Sequence, residues 1–374
     1  MNQREQRAQK IIEKENQIKQ IDNYTFKVKS QSSEQWYDVV STESGFLCSC
    51  PDARFRKTNC KHSISVEISQ GIRKQIEEAK QNQVIINPVE INGCKFCESD
   101  NIIKKGLRKN KNYSIQTFQC KDCKRKFSIN IGFEKMRATP QAITASMNLY
   151  FNGESLRHVA DSMKLFRVKV THQTIHNWIK KYIGLMDNYL ESITPQVSEK
   201  WYCDEIFLKI KGDRKYLYAM LDDSSRMWIA SQVADTKYTE DVRPLFRKSQ
   251  EVAGKKPKVL LSDGARNFMQ AHKKEWYSRY KEDQTKHIRH IHFKNDKNTN
   301  KMERLNGEIR DREKVMRSLK KEDSLILKGM QIHHNYIRSH MGIDGKTPSE
   351  KAGIKVEGLN KWITIIQNAS KQSK

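Results

Sequence analysis

The chain has 374 residues, enough for two or three domains that each bury a core, and its 70 Lys and Arg exceed its 44 Asp and Glu, which gives a formal net charge of +26. Such an excess predicts attraction to a polyanion, with nucleic acid before an anionic membrane surface. No apolar run approaches the ~18 residues of a membrane span, and the charged start of the chain lacks a signal-peptide core. We therefore expect a cytoplasmic protein, nucleoid-associated in a prokaryotic cell, without a membrane partner.

Seven of the eight cysteines lie in clusters with metal-ligand spacing, which favours zinc and a reducing compartment over disulfide bonds. The first cluster follows two predicted strands, residues 24–28 and 36–40, and its ligands are Cys48, Cys50, Cys60 and His62. Two thiolates at a strand end, with a Cys and a His at a helix start, suit tetrahedral Zn²⁺. The C-x-C and C-x-H pattern resembles the SWIM zinc finger. We expect residues 1–81 to form an N-terminal helix plus this finger, acting on DNA or on protein.

The second cluster consists of two C-x-x-C pairs, Cys94 with Cys97 and Cys120 with Cys123. Pairs at this separation predict a zinc ribbon over residues 90–135, because each pair presents two sulfurs at the turn of a hairpin. The segment between the pairs is a basic hairpin that could lie along DNA phosphates, and the alternative is a solvated loop. Its candidate DNA-binding residues are Lys104, Arg108 and Lys111.

Residues 139–190 predict three helices. Pro140 marks the start of the first, residues 152–154 break it, Ser155 caps the second, and the third begins at Thr171. This order is typical of a helix-turn-helix DNA-binding region, whose last helix enters a major groove, and a plain helical linker bundle is the rival interpretation. The outward-facing candidates on the third helix are His172, Gln173, His176, Asn177 and Lys180.

The pattern becomes α/β after residue 200. Strands are predicted at 201–210, 215–221, 227–234, 258–262 and 288–293, and helices at 239–253, 265–277 and 300–319. Short turns between the first three strands imply an antiparallel meander. The ribonuclease-H-like order is three strands followed by helix, strand, helix, strand and helix. In this order the first and fourth strands are neighbours. The expected fold class is multidomain α/β: a ribonuclease-H-like mixed sheet flanked by helices, preceded by small zinc modules and a helix-turn-helix bundle.

Three carboxylates stand out in this region because the chain is otherwise so basic. Asp204 lies on the first apolar strand, Asp263 at the end of the fourth, and Glu303 in a helix crowded with Arg and Lys. Carboxylates brought together repel one another, so such a cluster persists mainly when divalent cations neutralise it. We hypothesise that these residues hold two Mg²⁺ or Mn²⁺ ions for phosphodiester chemistry on DNA.

Residues from about 200 to 354 resemble the catalytic domain of prokaryotic insertion-sequence transposases of the DDE class, relatives of retroviral integrases. The match rests on Asp204 with Glu205, on residues 262–264, on N-x-x-E-R at residues 300–304, and on the later segments 335–340 and 345–353. We expect a catalytic domain over 198–354 and a C-terminal tail over 355–374. The spacing after Asp263 is long, which leaves Glu308 as an alternative third ligand. Glu303 is preferred because Asn300 and Arg304 flank it as the pattern asks.

The resemblance implies an enzyme that cuts transposon-end DNA and joins the freed 3′-hydroxyl ends to target DNA by two-metal chemistry. The implied partner is double-stranded DNA, as terminal repeats and as target, with a homodimer or larger assembly on it. Phosphate contacts are expected along the last helix from Arg304, Arg310 and Arg317. Two alternatives remain: a catalytically idle, sequence-specific DNA-binding regulator, and a metal-dependent structure-specific nuclease.

Overall fold

A computed structural model describes residues 3–14, 16–22, 24–42, 45–56, 58–81, 83–90, 93–109, 114–128, 130–280, 283–289, 300–316, 319 and 324–372. The chain divides into two compact units, Met1–Gln83 and Val84–Lys374. Within the described part of the chain, no helix combines the length and the apolarity that crossing a membrane requires.

The first unit is a small antiparallel sheet packed against helices. Its elements are α1 (Gln3–Ile12), β1 (Ile18–Gln20), β2 (Thr25–Lys29), β3 (Trp36–Thr42), β4 (Gly45–Cys48), α2 (Pro51–Arg56) and α3 (Lys61–Gln81). The strands pair in the order β1-β2-β3-β4, and Ile11, Phe26 and Val66 meet in its core. Both predicted strands are present, and β4 adds a strand that ends at Cys48.

The second unit contains the remaining elements. They are β5 (Val84–Ile86), β6 (Ile102–Lys109), β7 (Ser114–Cys120), β8 (Lys126–Ser128), α4 (Pro140–Phe151), α5 (Leu156–Leu165), α6 (His172–Leu190), β9 (Lys200–Ile210), β10 (Asp213–Asp222), β11 (Trp228–Ala234), α7 (Thr239–Ala253), β12 (Val259–Ser262), α8 (Arg266–Glu275), β13 (Lys286–Arg289), α9 (Asn300–Met316), α10 (Leu325–Ile332), α11 (Pro348–Lys351), β14 (Ile354–Val356) and α12 (Lys361–Gln372). A π-helical turn, His333–Ile337, follows α10.

A mixed five-stranded sheet organises this unit, in the order β11-β10-β9-β12-β13. Strands β9, β10 and β11 are antiparallel, whereas β12 runs parallel to both β9 and β13. This is the predicted order, with the first and fourth strands adjacent. Because Leu261 pairs with Tyr202, the chain just beyond β12 comes level with Asp204. The two strands therefore bring both aspartates together where β12 ends, beside the middle of β9.

Helices cover both faces of the sheet. Phe268 of α8 packs against Tyr218 of β10 on one face, and Asn306 of α9 contacts Asp204 of β9 on the other. The apolar side chains that fix α9 on the sheet are Met302, Leu305 and Ile309, all buried at helical spacing. Successive residues of a strand alternate between faces, so β9 directs Asp204 and Glu205 toward different helices.

The C-terminal segment differs from the predicted tail. Residues 355–374 begin in β14, which pairs with β5, and continue into α12, which packs on α4 and α6. Trp362, Ile365 and Ile366 are buried there, in the same core as the helical region and the sheet. Their spacing is that of an amphipathic helix, which is why the segment folds back rather than staying in solvent.

Two further boundaries differ from prediction. The fifth strand begins earlier than expected, at Lys286, and its predicted end at residues 290–293 lies outside the described residues. The described part of the last catalytic-domain helix ends at Met316, residues 317–318 lie outside the described residues, and the predicted end at residue 319 is not helical. Leu319 instead forms an isolated bridge to Ile210 at the end of β9.

Candidate metal centre and nucleic-acid interface

Asp204, Glu205 and Asp263 form a carboxylate cluster on the sheet, where β12 ends beside β9. One oxygen of each lies within 4.8 Å of the others. Asp204 sits in mid-strand, opposite Ala219 of β10, while Asp263 follows the last residue of β12. Asp263 is held there by its own turn, since its Oδ1 accepts a hydrogen bond of 3.0 Å from the backbone N–H of Ala265. The predicted approach of the two aspartates is thus present.

Burial and neighbouring negative charge dominate the electrostatics of the cluster. Burial raises the pKa of Asp204 to about 6, and the charges of Glu205 and Asp263 act in the same direction. Cys203, fully enclosed behind the cluster, has its pKa raised by burial and by the same three carboxylates. Both pKa values are raised by burial and by the convergence of acids with too little positive charge nearby.

Glu205 is only half neutralised. Its Oε1 pairs with the ammonium of Lys237, whereas its Oε2 is buried and has no hydrogen-bond partner among the described residues. A buried unpaired carboxylate oxygen is costly, and a divalent cation with oxygen ligands removes that cost. Oxygen ligands from Asp204, Glu205 and Asp263 are also the donor set that Mg²⁺ and Mn²⁺ prefer. The residues present therefore fit a hard divalent cation.

Glu303 is not part of this cluster. It lies on α9 with an exposed side chain, one turn before Asn306, whose Nδ2 donates a hydrogen bond of 2.7 Å to Asp204 Oδ2. Two residues three apart on a helix are about 60° apart around its axis, so the helical faces of Glu303 and Asn306 adjoin. The structure thus brings two of the three predicted carboxylates together and sets the third on the helix packed beside them.

Glu308, the alternative third ligand, has other partners. Its Oε2 lies 3.2 Å from His334 Nδ1 and its Oε1 lies 2.9 Å from Arg338. Burial alone would raise the pKa of Glu308, but the hydrogen bond from His334 and the charges of His334, Arg338 and His340 lower it to about 2. Glu308 is therefore a partner in an ion-pair network on a different face of α9 from Asn306.

The first cysteine cluster lies in the first unit. The ligand atoms of Cys48, Cys50, Cys60 and His62 are all within 4.8 Å of one another. His62 Nδ1 lies 3.9 Å from Cys48 Sγ and 3.8 Å from Cys60 Sγ. Around a tetrahedral Zn²⁺ with bonds of ~2.0–2.3 Å, ligand atoms are separated by roughly 3.5–3.8 Å. The cluster has the chemistry and the dimensions of a zinc site.

The second cluster lies at the turns of the β6–β7–β8 sheet. Cys94 Sγ is 3.5 Å from Cys123 Sγ, and Cys97 Sγ is 3.6 Å from Cys120 Sγ. These separations are slightly shorter than the edge of roughly 3.8 Å that four thiolates around Zn²⁺ require. Phe127 packs with the cysteines in a small core that is separate from the main one. A core this small needs a further stabilising element, and a metal ion supplies one.

The predicted DNA-binding residues are mostly exposed where the structure describes them. Lys104 and Arg108 lie on β6 with exposed side chains, and Lys111 lies outside the described residues. On α9, Arg304 and Arg310 are exposed, while Arg317 also lies outside the described residues. These positions fit contact with phosphates, since basic side chains in solvent can reach a polyanion.

The helical region has the three predicted helices, and each begins with a side-chain cap, of which Ser155 is the predicted one. The hydroxyls of Thr139, Ser155 and Thr171 accept from the backbone of α4, α5 and α6 respectively. The candidates on α6 are exposed except for His176, which is half-buried: His172, Gln173, His176, Asn177 and Lys180. Gln173 Nε2 donates to Asn177 Oδ1 over 3.1 Å, so two amides form one polar surface at the start of α6.

Sequence reasoning missed two residues of the carboxylate site. Lys237, in the loop before α7, pairs with Glu205, and nothing in the local pattern marks it. Asn306 contacts Asp204, and a signal for it existed: it follows Glu303 by three residues and lies on the face of α9 that carries the buried Met302. A polar residue within a helix's apolar stripe indicates a buried polar partner.

Comparison with known families gives a match in this region. Residues 198–340 match a family model described as a DDE domain, of the IS240 transposase type. The chain is 28% identical over 195 residues to "Insertion element ISM1 uncharacterized 48.3 kDa protein" of Methanobrevibacter smithii, covering 47% of this chain and 45% of that protein. It is 25% identical over 137 residues to the transposase for insertion sequence-like element IS431mec of Staphylococcus aureus, covering 36% and 59%. The chain thus spans about half the length of the curated relatives it matches.

Two solved structures overlap with 43% of this chain. One is the HTLV-2 integrase catalytic core domain in complex with magnesium, at 20% identity, a TM-score of 0.32 and 98% coverage of that chain. The other is a chain of the simian T-cell lymphotropic virus intasome in complex with a PP2A regulatory subunit, at 14% identity, a TM-score of 0.33 and 56% coverage.

Proposed function

Because residues 198–340 belong to the DDE domain family of insertion-sequence transposases, we propose that this protein cuts transposon-end DNA and joins the 3′-hydroxyl ends to target DNA. The observation that carries the proposal is the meeting of Asp204 and Asp263 where β12 ends beside β9, next to the helix that bears Glu303. In this proposal, β9 to α9 form a ribonuclease-H-like core. The strand order supports that assignment.

Asp204, Asp263 and Glu303 are the proposed catalytic carboxylates and would hold two Mg²⁺ or Mn²⁺ ions. When bound, such ions supply positive charge at the scissile phosphate and on the attacking and leaving oxygens. The orphaned oxygen of Glu205 and the raised pKa of Asp204 support a cation at this site. Glu303 is exposed at the side of α9, where DNA and cations can reach it together.

Neighbouring groups orient the carboxylates of Asp204, Glu205 and Asp263. Asn306 holds one oxygen of Asp204, which leaves the second oxygen for a cation. Lys237 pairs with Glu205 and reduces the repulsion within the cluster. The backbone of Ala265 fixes one oxygen of Asp263. Because these three side chains are already held in place before DNA binds, less entropy is lost in ordering them on binding, as in other preorganised sites.

The proposed substrates are double-stranded terminal repeats and target DNA, bound by a homodimer or larger assembly. The exposed amides of Gln173 and Asn177 at the start of α6 support base recognition in a major groove, since amides pair with adenine edges there. The exposed cations Lys104, Arg108, Arg304 and Arg310 would hold phosphates. Two Zn²⁺ ions, one in each cysteine cluster, would stabilise the small modules that carry part of this surface.

The test uses the purified full chain, DNA that carries the reading frame with its natural flanks, a supercoiled target plasmid and Mg²⁺. We expect new 3′-hydroxyl ends at the element boundaries and joined products with the wild type, and neither with Asp263→Asn. Asp344→Asn is the matched control, because Asp344 adopts a left-handed conformation that Asn also tolerates and lies in a different loop.

The three candidate functions give different results in this assay. Joined products that persist in Asp263→Asn would overturn the catalytic assignment. Specific binding of the flanks without cleavage in Mg²⁺ or Mn²⁺ would favour the regulator. Cleavage of branched DNA irrespective of sequence, without joining, would favour the structure-specific nuclease.

A further inference from the structure

A cleft of about 1150 Å³ runs along α9 on faces of the helix that do not carry Asn306. Its other walls are the turn at residues 151–153, which follows α4, the side chain of Arg226, and the loop at residues 338–342. Glu303 and Arg304 lie at one end and Arg312 at the other. Those ends are two helical turns apart, about 12 Å along the axis.

Positive side chains outnumber negative ones in this cleft: its lining has Arg226, Lys301, Arg304, Arg312 and Arg338 against Glu303, Glu308 and Asp311. Arg226, Arg304 and Arg312 all line it, and none of the three has an acidic partner among the residues that the structure describes. The three acidic wall residues are engaged elsewhere: Glu308 pairs with Arg338, Asp311 pairs with a lysine outside the cleft, and Glu303 also makes a polar or electrostatic contact. Three guanidiniums facing one concave space create a positive potential that low-dielectric walls concentrate.

Arg312 is the least expected of these cations. It is only 4% exposed, it lies 3.9 Å from the ring centre of Tyr150, and one terminal nitrogen donates to the backbone carbonyl of Glu154 over 3.0 Å. Its Nε and its other terminal nitrogen are buried and find no acceptor among the described residues. Burying an unpaired charge is expensive, so folding stability alone does not account for an arginine at the floor of this cleft.

Glycines keep the cleft open. A Cβ on Gly342 would lie 2.0 Å from Arg226 Nη2, so any other residue there would displace the end of the Arg226 side chain from its place across the loop. Gly307, between Arg304 and Arg312 in sequence, lines the cleft, and a Cβ there would meet nothing within 4 Å. The space along α9 is therefore accessible to a ligand.

We propose that this cleft binds the phosphate backbone of a single DNA strand adjoining the carboxylate site, a role that rests on the proposed transposase function. A sphere of the same volume would be ~13 Å across, close to the ~12 Å width of the major groove of B-DNA alone, so a whole duplex does not fit. The distance of about 12 Å along the helix axis from Arg304 to Arg312 corresponds to three or four nucleotides of a stacked strand, at an axial rise of ~3.4 Å each. The cleft thus selects separated strands.

The experiment measures binding of a fluorescein-labelled oligothymidylate, and of a duplex of equal length, to the full chain in EDTA at several salt concentrations. Gly307→Trp fills the cleft without removing charge. Its control is Gly71→Trp, at an exposed helical glycine where a Cβ likewise meets nothing within 4 Å. We expect Gly307→Trp to weaken single-strand binding about tenfold, with duplex binding changed far less, and Gly71→Trp to change neither.

Charge removal gives an independent result. Arg226→Gln and Arg304→Gln should each reduce the slope of log affinity against log salt by about 0.7 for the single strand, the value for one phosphate contact. Arg279→Gln removes the same charge from an exposed loop outside the cleft and should leave the slope unchanged. Single-strand binding that is unaffected by Gly307→Trp, Arg226→Gln and Arg304→Gln overturns the proposal.

Arg312→Met separates binding from a structural role. The cleft proposal predicts weaker single-strand binding with an unchanged or higher melting temperature, because an unpaired buried charge is replaced by an apolar chain. A purely structural Arg312 predicts a lower melting temperature with normal binding, which would remove it from the site. None of these measurements requires catalysis, so failure of the cleft and failure of the strand-joining assay are distinguishable.

Discussion

Asn306 of α9 donates a hydrogen bond of 2.7 Å to Asp204 of β9, across 102 positions of sequence. The bond joins the strand that carries the first aspartate to the helix that carries Glu303. It also opposes the effect of burial on Asp204, since a hydrogen bond donated to a carboxylate favours its charged form. One amide therefore affects both the placement of the helix and the protonation of the aspartate.

We expect the affinity of the site for Mn²⁺ to depend on pH, with a midpoint set by Asp204. Its pKa is raised to about 6, so the carboxyl is mostly protonated below that pH, and a cation binds only the deprotonated form. Affinity should be flat above pH 7 and fall about tenfold per pH unit well below 6, the slope for loss of one proton. Titration of Mn²⁺ followed by electron paramagnetic resonance measures it. An affinity that stays constant from pH 7 to pH 5 would contradict the assignment.

Replacing Asn306 by Ala should move that midpoint to higher pH. A hydrogen bond to a charged group contributes about 1.5–3 kcal/mol, so its loss should raise the midpoint by about one unit or more. The same Mn²⁺ titration, repeated on the variant, measures the shift. Gly307→Ala, at the next position of α9, is the control and should leave the midpoint unchanged. An unshifted midpoint in Asn306→Ala would mean that the amide does not act on Asp204 in solution.

Local sequence signals were sufficient for much of the fold. A short stretch of sequence identifies Ser155 as a helix cap and Pro140 and Thr171 as helix starts, and the three helices begin at or next to these positions. The approach of Asp204 and Asp263 follows from strand order, because β9 and β12 are parallel neighbours and the end of β12 comes level with Asp204. These features depend on interactions between near neighbours in sequence or on a known topology.

Contacts between distant side chains were not predictable in the same way. Lys237 finds Glu205, and His334 finds Glu308, only after the sheet and its helices have packed. The C-terminal segment had the apolar spacing of a helix at Trp362 and Ile365, but its docking site on α4 and α6 exists only in the folded unit. Pairing across packed elements is a tertiary property that no local pattern encodes.

The two cysteine clusters should each bind one zinc ion. Cys97→Ser removes a ligand from the ribbon and should lower the zinc content from two ions per chain to about one, because three ligands hold structural zinc much less tightly than four. Elemental analysis of the dialysed protein measures this. Cys203→Ser is the matched control, since Cys203 belongs to neither cysteine cluster, and it should retain both ions. Zinc content that is equal in both variants would contradict the ribbon site.

Of the two acidic candidates on α9, we expect Glu303 to be required for activity and Glu308 to contribute to stability. Glu303→Gln should abolish strand joining and change the free energy of unfolding by less than about 0.5 kcal/mol, because its side chain is exposed. Glu308→Gln should destabilise the protein by about 3 kcal/mol at neutral pH, since it leaves His334 and Arg338 without their carboxylate.

The pKa of Glu308 is lowered to about 2 in the folded protein, from an ordinary value of 4.5, so the contribution of Glu308 to stability is complete above pH 4.5 and is lost as pH falls toward 2. The stability difference between wild type and Glu308→Gln should therefore shrink on acidification, as measured by urea unfolding at a series of pH values. Loss of joining in Glu308→Gln with unchanged stability, together with active Glu303→Gln, would reverse the assignment of the third carboxylate.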